Sequence, residues 1–313
     1  IRSAAEEQFG VPVRSATVGR PVRFAGADDD DGDRFALRRL ERALHLAGFE
    51  EVAFQLEPLA AAAYFEASLS GPALLLIGDF GGGTSDFSLV QTGGRSGGSQ
   101  LLGNAGVGVA GDSFDARIVH HLVAPALGSD SLIRSGSKLL PVPAWVFRSL
   151  EHWHHLSLLR GNDTLRLIRG LRAQSCQPEK LDALLELILE EEGYRLHQAV
   201  QALKTELSAQ DTGGFAFSCG GLDLGATVKR SDFERWIAAD LAALGACIDG
   251  LLRQAGVSAR AVDQVYLTGG SSLVPAVRAL FTERFAAAQL SAGQEFTAVT
   301  RGLALPPRTC SGK

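Results

Sequence analysis

Apolar residues along the chain follow two different spacings, which together predict a fold that mixes strands and helices. A continuous apolar run, Ala73 to Ile77, predicts a strand that is buried on both faces and is therefore central to a sheet. Between Leu181 and Leu189 the apolar residues fall three and four positions apart, which predicts an amphipathic helix. A second such helix is predicted over 194–209. Because strands alternate with helices along most of the chain, the predicted class is α/β.

Glycine and proline mark the ends of the other predicted elements. Pro58 opens a helix that runs through Ala67, after a strand over 52–56. A strand over 265–268 is broken by glycines before Pro275 begins another helix. Further predictions are the end of a helix over 1–10, a helix over 237–252, a short β-segment and then a helix start over 215–236, and a flexible hairpin tip over 93–99.

Two carboxylates enclose a glycine turn in the segment Asp79-Phe80-Gly81-Gly82-Gly83-Thr84-Ser85-Asp86. Strand-like residues on both sides predict a β-hairpin. Three glycines let backbone N–H groups converge on an anion, and Thr84 can donate its hydroxyl to the same phosphate oxygens. Asp79 and Asp86 would repel a bare phosphate, so we expect a divalent cation or an attacking water between them and the phosphate. An ordinary glycine-rich hairpin with two solvated aspartates stays open as the alternative.

Three weaker signals lie elsewhere in the sequence. Gly269-Gly270-Ser271, between a strand and a helix, would let a flat ligand lie against bare backbone, although tight strand–helix packing explains it equally well. On the predicted helix 194–209, Gln201, Lys204 and Ser208 share one stripe, for which a solvated polar face is the alternative. Glu57 is a candidate catalytic carboxylate or, alternatively, a favourable partner of the helix dipole.

Composition narrows the classes of partner. The 313 residues carry a net charge of −5, which argues against a nucleic-acid or anionic-membrane partner, and 46% hydrophobic content is ample for a core. The longest apolar runs are too short to span a bilayer. The cysteines are far apart, as expected of reduced core residues in a cytoplasmic protein: Cys176, Cys219, Cys247 and Cys310. His152-Trp153-His154-His155 invites a metal interpretation, but no cysteine lies nearby and a surface helix is favoured.

Taken in order, five segments resemble the DnaK-type heat-shock chaperones of the actin-like ATPase superfamily. Leu56–Ala62 is similar to Asn-Glu-Pro-Thr-Ala-Ala-Ala, Asp79–Asp86 to Asp-Leu-Gly-Gly-Gly-Thr-Phe-Asp, Ala110–Asp115 to Gly-Gly-Glu-Asp-Phe-Asp, Gln201–Ser208 to the adenosine-contacting helix Glu-x-x-Lys-x-x-x-Ser, and Gly269–Pro275 to Gly-Gly-Ser-Thr-Arg-Ile-Pro. The sequences of residues 18–22 and 296–303 are more similar to the YegD-type chaperones. Residues 127–193 match the family only weakly.

The resemblance implies the actin-like ATPase (ribonuclease H-like) nucleotide-binding fold, with ATP or ADP and Mg²⁺ as cofactors. It also implies a role for individual residues. Asp79 and Asp86 would act through Mg²⁺ and its waters, and Glu57 would position the metal or the attacking water. The nucleotide contacts that it implies are Gly81, Gly82, Gly83 and Thr84 at the phosphates, Gly111 and Asp112 beside them, Lys204 and Ser208 at the ribose or base, and Gly269, Gly270 and Ser271 at the floor of the adenosine pocket.

The sequence also departs from the family. Neither the first phosphate loop, Asp-x-Gly-Thr-Thr, nor the catalytic lysine after it occurs in the sequence, which begins at Ile1 and holds no methionine. These departures predict a chain truncated at its N-terminus and poorly active by itself. Thr205 and Leu273 stand where better-known members place an arginine on each face of adenine, which predicts weaker or less adenine-specific binding. Nothing after residue 305 resembles a peptide-binding domain.

We therefore expect an ATP-binding, DnaK-like ATPase domain whose parent hydrolyses ATP slowly, with unfolded protein clients or a co-chaperone as further partners. The expected parts are the remainder of the first lobe (1–70), a second-lobe core (71–110 and 237–305), a mostly helical insertion (111–236) and a tail (306–313). Two alternatives stay open: an actin-fold small-molecule kinase, and a scaffold that keeps the fold without the chemistry.

Overall fold

The computed structural model of the protein describes residues 1–24, 27, 29–66, 69, 71–93, 99–151, 155, 159–292 and 297–305. The helices are α1 (Arg2–Phe9), α2 (Asp30–Leu46), α3 (Glu57–Glu66), α4 (Gly111–Ile118), α5 (Ala124–Ala126), α6 (Ala144–Arg148), α7 (Asn162–Gln174), α8 (Pro178–Leu189), α9 (Gly193–Ala209), α10 (Arg230–Trp236), α11 (Ala238–Ala255), α12 (Pro275–Arg284) and α13 (Ala298–Leu303). The strands are β1 (Ser15–Arg20), β2 (Glu51–Leu56), β3 (Leu74–Phe80), β4 (Ser85–Gln91), β5 (Gln100–Val107), β6 (Leu132–Ser135), β7 (Lys138–Pro141), β8 (Thr212–Cys219), β9 (Leu222–Lys229), β10 (Gln264–Thr268) and β11 (Gln289–Ala292).

A five-stranded sheet in the order β11-β10-β3-β4-β5 organises the chain. Its middle strand, β3, is parallel to β10 and antiparallel to β4. The apolar run in β3 is buried on both faces, with Leu76 and Phe80 in one core and Leu75 and Ile77 in another. Because side chains alternate along a strand, Asp79 leaves the sheet on the face of Ile77 and not on the face of Phe80.

The larger core lies on the face of Phe80. It takes in residues of α4, α9 and α11, such as Phe114, Leu203 and Ile248. On the opposite face a smaller core joins the sheet to α3 and α13, and there Phe65 stacks on Tyr266 with ring centroids 3.6 Å apart. The two faces of the sheet are therefore covered by different parts of the chain.

The helices α3 and α13 approach each other unusually closely. A Cβ atom placed on Gly302 would lie 1.8 Å from the carbonyl oxygen of Ala60, so only glycine fits at this position. The helix α3 follows directly on β2, which pairs in parallel with β1, and its first residue is Glu57. The close helix pair and the strand together fix where the Glu57 carboxylate stands.

Most of the predicted elements are confirmed. The apolar run and the glycine turn form the hairpin β3–β4, and the two amphipathic helices are α8 and α9. The prediction of one short β-segment within 215–236 is wrong, because β8 and β9 form a hairpin of two eight-residue strands joined at Gly220, which has φ 53°. The region 111–236 thus contains this hairpin and the smaller one, β6–β7, besides its helices. The sheet strands fall within 71–110 and 237–305, and the domain boundaries themselves stay a prediction.

Other predictions concern single side chains. Cys219 is buried as expected, whereas Cys176 is exposed, so the prediction of a core residue is wrong for Cys176. Cys310 and the histidine-cluster residues 152–154 lie outside the described residues, as does 94–98 of the predicted hairpin tip. Over the described ranges, no helix combines the length and the apolar character needed to cross a membrane.

Candidate functional site

The glycine turn between β3 and β4 is closed by its own backbone. The amide of Gly81 donates to the carbonyl of Thr84 at 2.9 Å, and the amide of Asp112, in the first turn of α4, donates to the carbonyl of Gly82 at 2.8 Å. The turn is thereby held against the start of α4. With both carbonyls used in this way, the backbone has few ways to relax, which suits a loop that must present its groups to a ligand in fixed positions.

A cavity of about 760 Å³ opens on the Phe80 side of this turn. Its volume lies within the range of roughly 300–1,000 Å³ that is typical of small-molecule sites. Three separate parts of the chain form its walls: the turn with the start of α4, one face of α9, and the loop between β10 and α12. The predicted site residues that line it are Gly81, Gly82, Gly111, Asp112, Lys204, Ser208, Gly269, Gly270 and Ser271.

Gly269 brings the loop after β10 directly against the strand that precedes the turn. It has φ 83°, and a Cβ atom there would lie 1.9 Å from the carbonyl oxygen of Phe80. The neighbouring Gly270 has nothing within 4 Å of the same position. The first glycine of the pair therefore serves close packing, whereas the second leaves open space beside the cavity.

Lys204 and Asp115 form an ion pair in the wall of the cavity. Nζ of Lys204 lies 2.8 Å from Oδ1 of Asp115 and donates to the carbonyl of Gly111 at 3.2 Å. Burial raises the pKa of Asp115, whose side chain is almost fully enclosed, while the Lys204 charge acts in the opposite direction. Ser208 donates its hydroxyl to the Lys204 carbonyl at 2.9 Å. Lys204 thus joins α9 to α4, and whether it or Ser208 contacts a nucleotide stays a prediction.

A second, smaller cavity of about 50 Å³ lies on the Ile77 side of the sheet. The three predicted catalytic carboxylates, Glu57, Asp79 and Asp86, all line it. Thr268 at the end of β10 donates its hydroxyl to Asp79, and Thr84 donates to Asp86 at 3.2 Å. The lining also includes Ser88 and Asn104, and the described lining contains no basic side chain.

Glycines on the neighbouring strands leave room for two of these carboxylates. A Cβ atom on Gly106 would lie 2.6 Å from Oδ1 of Asp86, and one on Gly19 would lie 3.0 Å from Cγ of Glu57. Gly106 faces Asp86 across the β4–β5 ladder. Both carboxylates therefore stand over bare backbone, where a larger residue would push them out of the cavity.

No basic side chain in the described lining balances the negative charge of the smaller cavity. Burial raises the pKa of Glu57, and the charges of Asp79 and Asp86 raise it further. Burial also raises the pKa of Asp86. The hydrogen bond from Thr84 lowers this pKa, and the charge of Asp79 raises it, so that it stays above its usual value. A cation at this point would remove the cost of gathering three carboxylates.

The donor set fits Mg²⁺ held through water. Carboxylate, amide and hydroxyl oxygens are the ligands that Mg²⁺ prefers, and Mg²⁺ usually keeps several of its waters. Across the residues that the structure describes, no three His, Cys, Asp or Glu side chains are close enough to bind a metal ion directly.

The site residues predicted from the sequence fall into two groups, one in each cavity, and two residues that line neither cavity. Glu57, Asp79 and Asp86 share the smaller cavity, and nine other residues share the larger one, while Gly83 and Thr84 appear in neither lining. Their role at a phosphate stays a prediction.

Sequence reasoning missed five polar or charged residues of the linings: Ser88, Asn104, Asp115, Thr268 and Arg278. Strand alternation could have found Ser88, which lies two positions after Asp86 on the same face and opposite Asn104. Asp115 and Arg278 become visible only when the helices are packed.

Comparison with known proteins supports the resemblance. Residues 177–313 match the family model described as "Hsp70 protein". The chain is 26% identical over 287 residues to "Chaperone protein HscA homolog" of Acidovorax sp. (strain JS42), which covers 91% of this chain and 35% of that protein. It is 25% identical over 305 residues to "Heat shock cognate 70 kDa protein 3" of Dictyostelium discoideum, which covers 93% of this chain and 38% of that protein.

The chain is Hsp70-like. Its fold is accordingly the actin-like ATPase fold, in agreement with the sequence prediction. The protein spans well under half the length of these Hsp70-type relatives. One relative is named as a chaperone and the other as a heat shock cognate protein, and neither name favours the small-molecule kinase alternative. The closer likeness to YegD-type proteins and the truncation stay predictions.

Proposed function

We propose that the protein binds ATP or ADP in the larger cavity, with Mg²⁺ held beside it at the carboxylates of the smaller cavity. One observation carries this proposal: the turn at Gly81–Gly82 and the loop at Gly269–Ser271 are far apart in the sequence but line the same cavity, beside a cluster of carboxylates. A nucleotide needs a backbone-lined pocket for its phosphates and a flat, apolar-sided pocket for its base. The two loops supply these two surfaces.

The phosphate end of the nucleotide would lie at Gly81, Gly82 and the start of α4. Glycine backbone and a helix N-terminus suit an anion, although the amide of Asp112 is already used by the Gly82 carbonyl. The base and ribose would lie between α9 and the 269–274 loop, where Thr205, Ser208 and Leu273 line the cavity.

Glu57, Asp79 and Asp86 would hold Mg²⁺ through its waters, and a bound Mg²⁺ would neutralise charge on the phosphates. Glu57 has a raised pKa and a partly enclosed carboxylate, so it is suited to orient a water molecule by accepting its hydrogen bond.

The reaction that we propose is slow hydrolysis of ATP to ADP and phosphate. In the described linings the only basic residues are Lys204, which is paired with Asp115, and Arg278, whose Nε donates to the carbonyl of Ser272. Phosphoryl transfer is accelerated mainly by positioning and by positive charge at the phosphates. With one such charge already used internally, we expect turnover to be slow.

Names of the relatives suggest the wider role. Both are described as chaperone or heat-shock proteins, and by analogy we propose that the protein takes part in a nucleotide-driven chaperone cycle with client proteins or a co-chaperone. A cytoplasmic location is part of the same proposal.

Titration calorimetry with Mg-ATP and Mg-ADP tests the binding proposal. We expect saturable binding of both, weakened at least tenfold in Asp79→Asn and Asp86→Asn when Mg²⁺ is present. Asp163→Asn is the matched control, because Asp163 is almost fully exposed at the start of α7. Phosphate release measured on the same samples tests hydrolysis. A folded protein that binds neither nucleotide would overturn the proposal, and equal loss of affinity without Mg²⁺ would overturn the role of the carboxylates.

A further inference from the structure

Two polar side chains in the smaller cavity have no hydrogen-bond partner among the described residues. Ser88 is 5% exposed and lines the cavity together with Asn104 and the three carboxylates. Within the described part of the chain, neither Ser88 nor Asn104 forms a hydrogen bond through its side chain. A buried hydroxyl costs free energy unless it is hydrogen-bonded, so Ser88 calls for a partner that enters the cavity from solvent.

The pairing of β4 with β5 brings both side chains next to Asp86. Ser88 follows Asp86 by two positions and therefore leaves β4 on the same face. Asn104 lies directly opposite Ser88, and Gly106 lies directly opposite Asp86. Neighbouring positions on one face are about 6–7 Å apart along a strand, a separation that one water molecule between two side chains can bridge.

The two carboxylate oxygens of Asp86 have different surroundings. Oδ2 accepts the hydroxyl of Thr84 at 3.2 Å, whereas no described residue donates to Oδ1. Oδ1 leans over the bare backbone of Gly106 and lies 2.6 Å from where a Cβ atom would stand. Because Gly106 and Asn104 share one face of β5, this oxygen is directed towards the strand that carries Asn104.

We propose that Ser88 and Asn104 hold a water molecule on Oδ1 of Asp86 and thereby position this carboxylate for the hydrated cation. A buried water molecule takes two to four polar partners, and the hydroxyl, the amide and the carboxylate supply three. The cavity of about 50 Å³ has room for it. With Thr84 at one oxygen and this water at the other, the carboxylate keeps a single orientation. The inference rests on the proposed Mg²⁺ site and adds two positioning residues to it.

Mg²⁺ titrations of the whole chain test the inference with two measurements. One is the rise in Tm that Mg²⁺ causes without nucleotide, and the other is the affinity for ADP, measured by calorimetry at increasing Mg²⁺ concentration. In Ser88→Ala and in Asn104→Ala we expect about ten times more Mg²⁺ to be needed for the same effect, as is typical when a group that orients a metal ligand is removed. The double variant should lose no more than either single variant, because both side chains act through one water molecule.

Two control variants separate positioning from general damage to the fold. Gln100→Ala removes an exposed polar side chain from the same strand, β5, and should change nothing. Ser131→Ala removes a buried hydroxyl that donates to Oε1 of Gln177 at 2.9 Å. It should lower the Tm without altering the Mg²⁺ requirement, and thermal melting without Mg²⁺ confirms that each variant folds.

The outcomes separate the two proposals. An unchanged Mg²⁺ requirement in either single variant, or losses that add up in the double variant, would overturn the inference while leaving the nucleotide site standing. Failure of the unaltered protein to bind ADP would overturn the proposed function, and the Tm measurement would still decide on Ser88 and Asn104. If Mg²⁺ does not raise the Tm of the unaltered protein, both the Mg²⁺ site and this inference are wrong.

Discussion

Nζ of Lys204 lies 2.8 Å from Oδ1 of Asp115, and this pair ties α9 to α4 in the wall of the larger cavity. Asp115 is 3% exposed, so its charge has almost no water to stabilise it. The pKa of Asp115 is raised even with the lysine present. The pair therefore holds the cavity wall together only while both partners are present.

Lys204→Met should destabilise the protein by about 3 kcal/mol, because it leaves the Asp115 carboxylate buried and unpaired. Urea unfolding measures the loss, and adding Asp115→Asn to the same variant should restore part of it. Lys180→Met is the control, because Lys180 lies at the same 2.8 Å from Asp130, whose side chain is 57% exposed. That change should cost less than about 1 kcal/mol. Equal losses in the two methionine variants would contradict the prediction.

Gly269→Ala should destabilise the protein by about 2 kcal/mol or more and weaken nucleotide binding. The new Cβ would meet the carbonyl oxygen of Phe80, and φ 83° strains any residue with a side chain. Urea unfolding and calorimetry with Mg-ATP measure the two effects. Gly270→Ala, one position later, has open space and should change the stability by less than about 1 kcal/mol. Similar behaviour of the two variants would show that the close approach to β3 is unimportant.

Gly302→Ala should destabilise the protein by about 2 kcal/mol although alanine favours helices more than glycine does. The added methyl group would meet the Ala60 carbonyl and push α13 away from α3. Gly170→Ala on α7 is the matched helical control: nothing lies within 4 Å, and we expect a gain of up to about 1 kcal/mol. Thermal or urea unfolding measures the stability of both variants. A gain in stability at both positions would contradict the close contact between α13 and α3.

Glu57→Gln should stabilise the protein at neutral pH in the absence of Mg²⁺, raising the Tm by about 2 °C. The substitution removes one of three carboxylates that share a partly enclosed cavity. Glu7→Gln, at an exposed position on α1, should leave the Tm unchanged. Adding Mg²⁺ should raise the Tm of the unaltered protein and so narrow the difference in Tm between it and Glu57→Gln.

The pH dependence of this effect has a definite sign. Because the pKa of Glu57 is raised in the folded state, the native protein holds the proton more tightly than the unfolded chain does. The contribution of Glu57 to stability is therefore most favourable below the ordinary pKa of a glutamate, and it is lost as the pH rises through the raised value. The advantage of Glu57→Gln should disappear in acid and grow towards neutrality. A constant difference over the whole range would contradict the raised pKa.

Sequence alone predicted the hairpin and the two loops because their signals are local. The apolar run before Gly78 and the glycines of 81–83 are read from adjacent positions, and the structure confirms the strand, turn and strand. The hairpin β8–β9 was missed because its second strand carries few large apolar residues, although Phe215, Phe217 and Cys219 alternate in the first.

The parts of the site that the sequence did not predict depend on how elements distant in the chain pack together. Asp115 and Lys204 are on different helices, and nothing in either segment indicates that they meet. Arg278, on α12, lines the cavity and bonds Ser272 of the preceding loop, which no local sequence signal indicates. Pairings of this kind are decided by the shape of the whole core, which a reading of periodicity and motifs does not supply.

The turn at Gly81–Thr84 has the carboxylates on one side and the larger cavity on the other, because Asp79 and Phe80 leave β3 on opposite faces. Substitutions there alter one cavity at a time. A single residue inserted between Ile77 and Asp79 would instead exchange the faces, turning a carboxylate towards the apolar core and a phenylalanine towards the other carboxylates. This stretch should therefore tolerate substitutions better than insertions or deletions.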